Sequence, residues 1–178
     1  MKGSENEKEK REDPSSFVKT RKNEPFDNSF TKMADQVFNQ AIPPKQALGV
    51  TNREAENIYA QAYRLYNTGK YAEAAHLFRI LIMLNAMEHK YMLGLAASLH
   101  MMKDYVSAIE TYTMCSALDP RNPIPHYHSS DCYLQIKETL SAMLCLELAI
   151  ESCENKPSYS KIKERAQLSL DSLKQLAC

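Results

Sequence analysis

The stretch Gly69-Lys70-Tyr71-Ala72-Glu73-Ala74 decides the fold of this chain, because it returns twice at a fixed distance. It recurs as Lys103-Asp104-Tyr105-Val106-Ser107-Ala108 and then as Lys137-Glu138-Thr139-Leu140-Ser141-Ala142, so that positions 69, 103 and 137 share one repeat register. A period of about 34 residues is typical of tetratricopeptide repeats (TPR), in which each unit is a pair of antiparallel helices. The sequence therefore predicts three helix pairs in tandem.

Small and large side chains recur in the same register, at Ala74, Ala108 and Ala142, and four residues later at Phe78, Tyr112 and Leu146. Paired helices need a small residue where they approach closely and a large one where they diverge, because protein interiors are close-packed. A single unit cannot bury its apolar face, so about three must stack. We therefore expect an all-α fold, with three tandem TPR helix pairs forming a short superhelix with a concave groove.

Composition changes along the chain divide it into four parts. Residues 1–25 are charged and almost free of apolar side chains, so we expect a disordered tail. Residues 26–50 would form an N-terminal amphipathic helix and a linker, and residues 51–154 the TPR domain. The final part, 157–178, carries an apolar stripe and a polar face, as a capping helix should. The predicted repeats lie near 55–88, 89–122 and 123–156.

The predicted N-terminal helix has no repeat of its own to pack in. Its apolar residues fall at steps of three and four, and Pro43 and Pro44 should end it before a linker that runs to Val50. Two interpretations stay open: the apolar face packs on the first repeat, or it joins two copies of the chain in a homodimer. The apolar residues are Phe26, Phe30, Met33, Val37 and Ala41.

Composition excludes several classes of function. The 22 basic and 22 acidic residues balance, so no overall positive field favours nucleic acid or a membrane surface. No apolar run approaches the ~18 residues of a membrane span, and no apolar segment near the N-terminus suggests a secretory signal. The five cysteines form no CxxC pair, which favours reduced thiols in a cytoplasmic protein. We expect no metal and no cofactor.

The first helix of each pair should line the groove with its second, fifth, ninth and twelfth positions. In the first repeat the last three of these are all tyrosines, on one helix face. A buried phenol needs a hydrogen-bond partner, whereas a groove wall leaves the hydroxyl in contact with water or a ligand. Three tyrosines on one face therefore favour a peptide-binding wall, and structural packing is the alternative. The candidate groove residues are Tyr59, Tyr63 and Tyr66, then Leu93, Ala97 and His100, then Tyr127, Asp131 and Leu134.

Two other activities are disfavoured by the same positions. A TPR groove that clamps a terminal carboxylate needs Lys, Arg or Asn, and the projected clamp positions here hold none of these. They are Tyr59, Tyr63, Gly94, Ile124 and His128. A thiol enzyme could pair Cys132 with His128 four residues earlier on the same helix, but a cysteine that packs between helices is more ordinary.

Several stretches resemble the SycD/LcrH family of class II type III secretion chaperones. They are Tyr59-Ala60-Gln61-Ala62-Tyr63-Arg64-Leu65-Tyr66, Tyr91-Met92-Leu93-Gly94-Leu95-Ala96-Ala97, Pro123-Ile124-Pro125-His126-Tyr127-His128 and Cys132-Tyr133-Leu134-Gln135. The resemblance covers roughly Thr51 to Glu154. It is more specific than a general TPR pattern, because the Leu-Gly-Leu run and the Pro-x-Pro-His-Tyr-His stretch are not part of the TPR consensus.

The resemblance implies a small chaperone in the bacterial cytoplasm that keeps hydrophobic translocator proteins of a type III secretion system soluble before export. It implies that an extended client segment, of the Pro-x-Leu-x-x-Pro kind, lies in the concave groove. The groove tyrosines of the family correspond to Tyr59, Tyr63, Tyr66 and Tyr71, and Tyr127 and His128 would line the far end. Dimers through N-terminal helices are also implied. The alternative is a general TPR scaffold that bridges folded partners.

Overall fold

The computed structural model describes residues 42–153 and 156–176, together with 32 and 35–37. A short helix, α1, precedes three helix pairs and a last long helix, which follows a 3₁₀ turn at Pro157–Tyr159. The helices are α1 (Pro44–Ala47), α2 (Asn52–Asn67), α3 (Tyr71–Leu84), α4 (His89–Met101), α5 (Tyr105–Leu118), α6 (Pro123–Gln135), α7 (Thr139–Ser152) and α8 (Ser160–Leu176). The predicted all-α fold with three tandem TPR helix pairs is confirmed.

The turn inside each helix pair has the same geometry. Its central residue adopts a positive φ in all three repeats: 80° at Gly69, 63° at Lys103 and 64° at Lys137. The residue after it donates its N–H to a carbonyl in the last turn of the first helix, as Lys70 does to Leu65 at 2.9 Å. This is a Schellman ending, which satisfies carbonyls that a helix end would leave unpaired. The shared turn gives the three helix pairs internal connections of the same geometry.

Side-chain caps fix where several helices begin. Thr51 accepts a hydrogen bond from the N–H of Glu54, and the Glu54 carboxylate accepts one from the N–H of Thr51, which forms a capping box. Asp104 caps α5, and Asn122 caps α6 by accepting from the N–H of Ile124 at 3.1 Å. Proline at the start of α6 supports the same boundary, because its fixed φ suits the first helical position.

The repeat register packs the core as the sequence predicts. The three register alanines are fully buried, and the three large residues four positions later are at most 2% exposed. Each helix contacts the next along the chain from α2 to α8, so the core is continuous through the three pairs. The alanines are Ala74, Ala108 and Ala142, and the large residues are Phe78, Tyr112 and Leu146.

Helix α8 closes the stack by burying Ala166 and Leu170 against Leu146. Lys174 Nζ forms an ion pair with the Glu147 carboxylate on α7 at 3.2 Å. Two leucines of α8 depart from the expected polar outer face, because Leu168 is 63% exposed and Leu176 is 84% exposed.

Two predictions for the region before α2 have different outcomes. The predicted linker from Pro44 to Val50 instead contains α1, a helical turn that contacts α3. The predicted disordered tail (1–25), the predicted helix (27–41) and the homodimer through it lie outside the described residues, except that 32 and 35–37 are helical. Among the described helices, none is long and apolar enough to cross a membrane.

Candidate functional site: an aromatic groove on the first helices

Three tyrosines of α2 form one wall of a groove. Tyr59 and Tyr66 are half-buried, whereas Tyr63 is 54% exposed and projects from the wall. The rings of Tyr59 and Tyr63 stack with centroids 6.4 Å apart and an angle of 21° between their planes. Tyr59 also contacts the buried Tyr91 ring at 5.8 Å. Tyr59 therefore joins the core to the exposed Tyr63, and its packing holds the wall in place.

The floor of the groove comes from a second-helix residue. Phe78 of α3 reaches the groove and meets Tyr59 edge-to-face, with centroids 6.1 Å apart. It can do so because α4 carries a glycine at this point. A Cβ on Gly94 would lie 2.8 Å from Phe78 Cδ1 and closer still to two other ring atoms. Gly94 is thus a packing requirement, and its lack of a side chain lets an aromatic ring form the floor.

The groove encloses about 220 Å³. Small-molecule sites usually measure about 300–1,000 Å³, so this volume suits one or two apolar side chains of a peptide better than a drug-sized ligand. Its lining residues come from the first helices α2, α4 and α6, with Phe78 and Tyr112 contributed by α3 and α5. They are Tyr59, Tyr63, Tyr66, Phe78, Lys90, Leu93, Gly94, Ala97, Tyr112, Ile124 and His128.

Six of the eleven candidate residues line the groove, whereas Leu134 does not. The six are Tyr59, Tyr63, Tyr66, Leu93, Ala97 and His128. The other four are not lining residues but contact them. Tyr71 meets Tyr66 edge-to-face at 5.5 Å. His100 and Tyr127 contact the His128 ring at 6.2 and 5.5 Å, and an Asp131 carboxylate oxygen lies 3.9 Å from His128 Nδ1. Each of these four residues is therefore in contact with a residue that lines the groove.

One charged residue of the groove is missing from the predicted set. Lys90 Nζ lies 4.8 Å from the centre of the Tyr59 ring and forms an ion pair with Glu56 at 2.7 Å. The hydrogen bond to Glu56 raises the pKa of Lys90, so the ammonium stays charged. The repeat register contained a signal for this residue, since Glu56, Lys90 and Ile124 each occupy the second position of a predicted repeat. The groove remains mainly apolar, with one neutralised cation at its edge.

Histidines and a buried tyrosine form the end of the groove near α6. The rings of Tyr112 and His128 stack at 5.8 Å, and His100 meets Tyr112 edge-to-face at 6.4 Å. Burial and the neighbouring His128 both lower the pKa of His100. Burial raises the pKa values of the Tyr59 and Tyr66 phenols. At neutral pH the His100 ring and both phenols are therefore uncharged, which keeps this surface suitable for apolar groups.

The Cys132–His128 pair lacks the environment of a reactive thiol. Cys132 is fully buried, and burial raises its pKa to about 12. A nucleophilic cysteine needs a lowered pKa and access to solvent. Within the described ranges, no group of three or more His, Cys, Asp or Glu residues could hold a metal ion. Cys132 instead packs in the core with Ala108 and Tyr112.

Fold and groove together define a TPR protein with an aromatic groove on its first helices. The tetratricopeptide repeat family model matches residues 55–86 and 89–122. Low calcium response locus protein H of Yersinia pseudotuberculosis is 30% identical over 125 residues, which cover 70% of this chain and 74% of that protein. Chaperone protein SicA of Salmonella typhimurium is 28% identical over 130 residues, covering 73% and 76%.

A solved structure gives the same assignment. The Yersinia enterocolitica type III secretion chaperone SycD, in complex with a peptide of the translocator YopD, superposes with a TM-score of 0.70 at 29% identity. The match covers 72% of this chain and 98% of SycD. The chain belongs to the SycD/LcrH family of type III secretion chaperones, as the sequence resemblance predicted.

Proposed function

We propose that this protein binds hydrophobic translocator proteins in the bacterial cytoplasm by holding an extended client segment in the groove. The observation that carries this proposal is the exposure of Tyr63: its side chain is 54% exposed and lines the groove whose apolar floor is already formed by Phe78. Tyrosine is enriched among binding hot spots, which cluster in well-packed regions that lose their contact with water on binding. The YopD peptide complex of SycD and the chaperone name of SicA support the same function.

The mechanism needs no chemical step. A chaperone that binds an apolar client segment lowers the concentration of the free segment, and so competes with aggregation by mass action. The aromatic wall is packed before the client arrives, because Tyr59 is held by Phe78 and Tyr91. A preorganised site avoids part of the entropy cost of ordering side chains on binding. The protein would therefore act without catalysis, cofactor or ATP.

The other predicted site residues take supporting roles in this proposal. Leu93 and Ala97 complete the apolar lining, and Tyr71 holds Tyr66 from behind. His100, Tyr127 and Asp131 position His128 at the end near α6. Self-association through the predicted helix at 27–41 stays a prediction.

Co-expression tests the proposal. The full chain would be expressed with each apolar translocator-like protein of the same genome, and soluble complexes would be purified. We expect a complex that Tyr63→Ala weakens about 30-fold or more, the size of a hot-spot effect of about 2 kcal/mol. The far-ultraviolet circular dichroism should not change, because Tyr63 is largely exposed. Tyr59 and Tyr66 are unsuitable for this test because both pack against the core.

A scaffold is the second candidate, and one observation favours it. The second helices carry exposed apolar residues away from the groove, which we call the outer strip: Ile80, Val106, Met114, Leu140, Leu144 and Leu148. A protein that bridges folded partners would use this strip. Leu140→Ala, at a residue that is 81% exposed, is therefore the matched variant. Loss of the complex with Leu140→Ala but not with Tyr63→Ala would replace the groove proposal with the scaffold.

A further inference from the structure

Helix α8 continues the series of first helices instead of only capping the stack. The twelfth position of the three repeats is Tyr66, His100 and Leu134, each 34 residues after the one before. A further step of 34 residues falls on Leu168 in α8. Ala166 likewise lies one repeat length after Cys132, and both residues are fully buried. Register and burial thus place α8 in the position that the first helix of a fourth repeat would occupy.

Leu168 belongs to a second apolar pocket. This pocket measures about 330 Å³ and is lined by α6 and α8 alone. Because no residue of α7 takes part, the pocket opens on the side formed by the first helices. Leu173 is partly buried against the Leu146 cluster, which gives the pocket a fixed wall. The lining residues are Leu134, Leu168, Ser169, Ser172 and Leu173.

The two pockets share helix α6. Its residues Ile124 and His128 line the aromatic groove, and Leu134 further along lines the second pocket. Between them lies Asp131, whose carboxylate is 3.9 Å from His128 Nδ1. The surface therefore alternates from apolar to polar to apolar. We infer that α8 extends the client groove and that the second pocket takes a second apolar side chain of the same client segment.

This inference rests on the proposed function and adds a requirement on the client sequence. His128 and Leu134 are six residues apart, which is about 9 Å along the helix axis. An extended peptide covers about 3.3 Å per residue, so the two apolar anchors must be separated by at least about three residues. The residues between them face Asp131 and His128 and should be polar. Continuity through α6 makes one extended segment the natural occupant of both pockets.

A peptide selection provides a direct test. A phage-displayed library of short random peptides would be selected on the full chain, and the best binders would be synthesised. We expect two apolar positions with the separation that the pocket spacing requires. Leu168→Gln should weaken the binding of such a peptide about tenfold, because one leucine-sized apolar contact is no longer buried. The variant should fold normally because Leu168 is exposed. Leu176→Gln, at the 84% exposed end of α8, is the matched control and should have no effect.

Peptide variants then show which pocket holds which anchor. Replacing one apolar anchor by alanine should abolish the effect of Leu168→Gln, and replacing the other should leave that effect intact. If Tyr63→Ala weakens binding of the peptides while Leu168→Gln does not, the proposal for the second pocket is wrong and the proposal for the aromatic groove is retained. If neither variant weakens them, or if no peptide is selected, both the pocket and the groove proposal are wrong.

Discussion

The groove and the outer strip both carry exposed apolar side chains, yet they differ in how those side chains are arranged. In the groove Tyr63 stacks on Tyr59, which itself rests on Phe78 and Tyr91. On the outer strip Leu140 is 81% and Val106 is 59% exposed. Single exposed apolar side chains are common on protein surfaces, whereas converging ones mark binding sites. Convergence over a packed floor, more than exposure, therefore supports our proposal that the groove is the client site.

The largest expected difference in the free energy of unfolding lies between substitutions on two faces of helix α3. Phe78 is 2% exposed and forms the groove floor, while Ile80 on the same helix is 45% exposed on the outer strip. Phe78→Ala should lower the free energy of unfolding by about 3–5 kcal/mol, since it removes a buried ring. Ile80→Ala should change it by less than about 0.5 kcal/mol. Urea denaturation followed by circular dichroism measures both, and equal losses would contradict the assignment of the two faces.

The next effect tests the close approach of α4 to Phe78. Gly94→Ala should lower the free energy of unfolding by about 1–3 kcal/mol, because the added methyl overlaps the ring. Helix propensity alone predicts the opposite sign, a gain of about 1 kcal/mol. Thermal unfolding decides between them. The double variant with Phe78→Leu should recover part of the loss, and a stabilised Gly94→Ala protein would show that no overlap exists.

A substitution in the turn inside a helix pair should have a smaller effect, and it should raise the free energy of unfolding instead of lowering it. Lys103 and Lys137 adopt a positive φ that Gly69 adopts in the first repeat. A non-glycine residue in this conformation costs about 1–2 kcal/mol. Lys103→Gly should therefore raise the free energy of unfolding by about 1 kcal/mol. The mirror variant Gly69→Ala, which meets no atoms within 4 Å, should lower it by a similar amount. Destabilisation by Lys103→Gly would mean that its side chain stabilises the turn.

The smallest effect concerns pH. Burial lowers the pKa values of both His100 and His126, so the unfolded chain binds protons more readily than the folded chain. The free energy of unfolding should be at its full value above about pH 6.5 and fall as the pH decreases further. The His100→Gln/His126→Gln variant should show a shallower decrease. Urea denaturation at several pH values measures the slopes, and an unchanged slope would assign the pH dependence to other groups.

The repeat register predicted most of the fold because packing forces it. A strict period fixes where alanines and large residues meet, as the burial of Ala108 and Tyr112 shows. The tyrosine wall was predictable for the same reason. The floor was not, because only the distance between helices shows that Phe78 passes Gly94. Leu168 was missed because α8 was interpreted as a cap with a polar outer face.

Site-specific photo-crosslinking tests the central claim most directly. A photoreactive phenylalanine would replace Tyr63 in the groove or Leu140 on the outer strip, in the full chain co-expressed with its translocator. We predict that position 63 forms a crosslink to the translocator and that position 140 does not. The crosslinked client residues should lie in a short extended apolar segment. A crosslink from position 140 alone would contradict the account and place the client on the second helices.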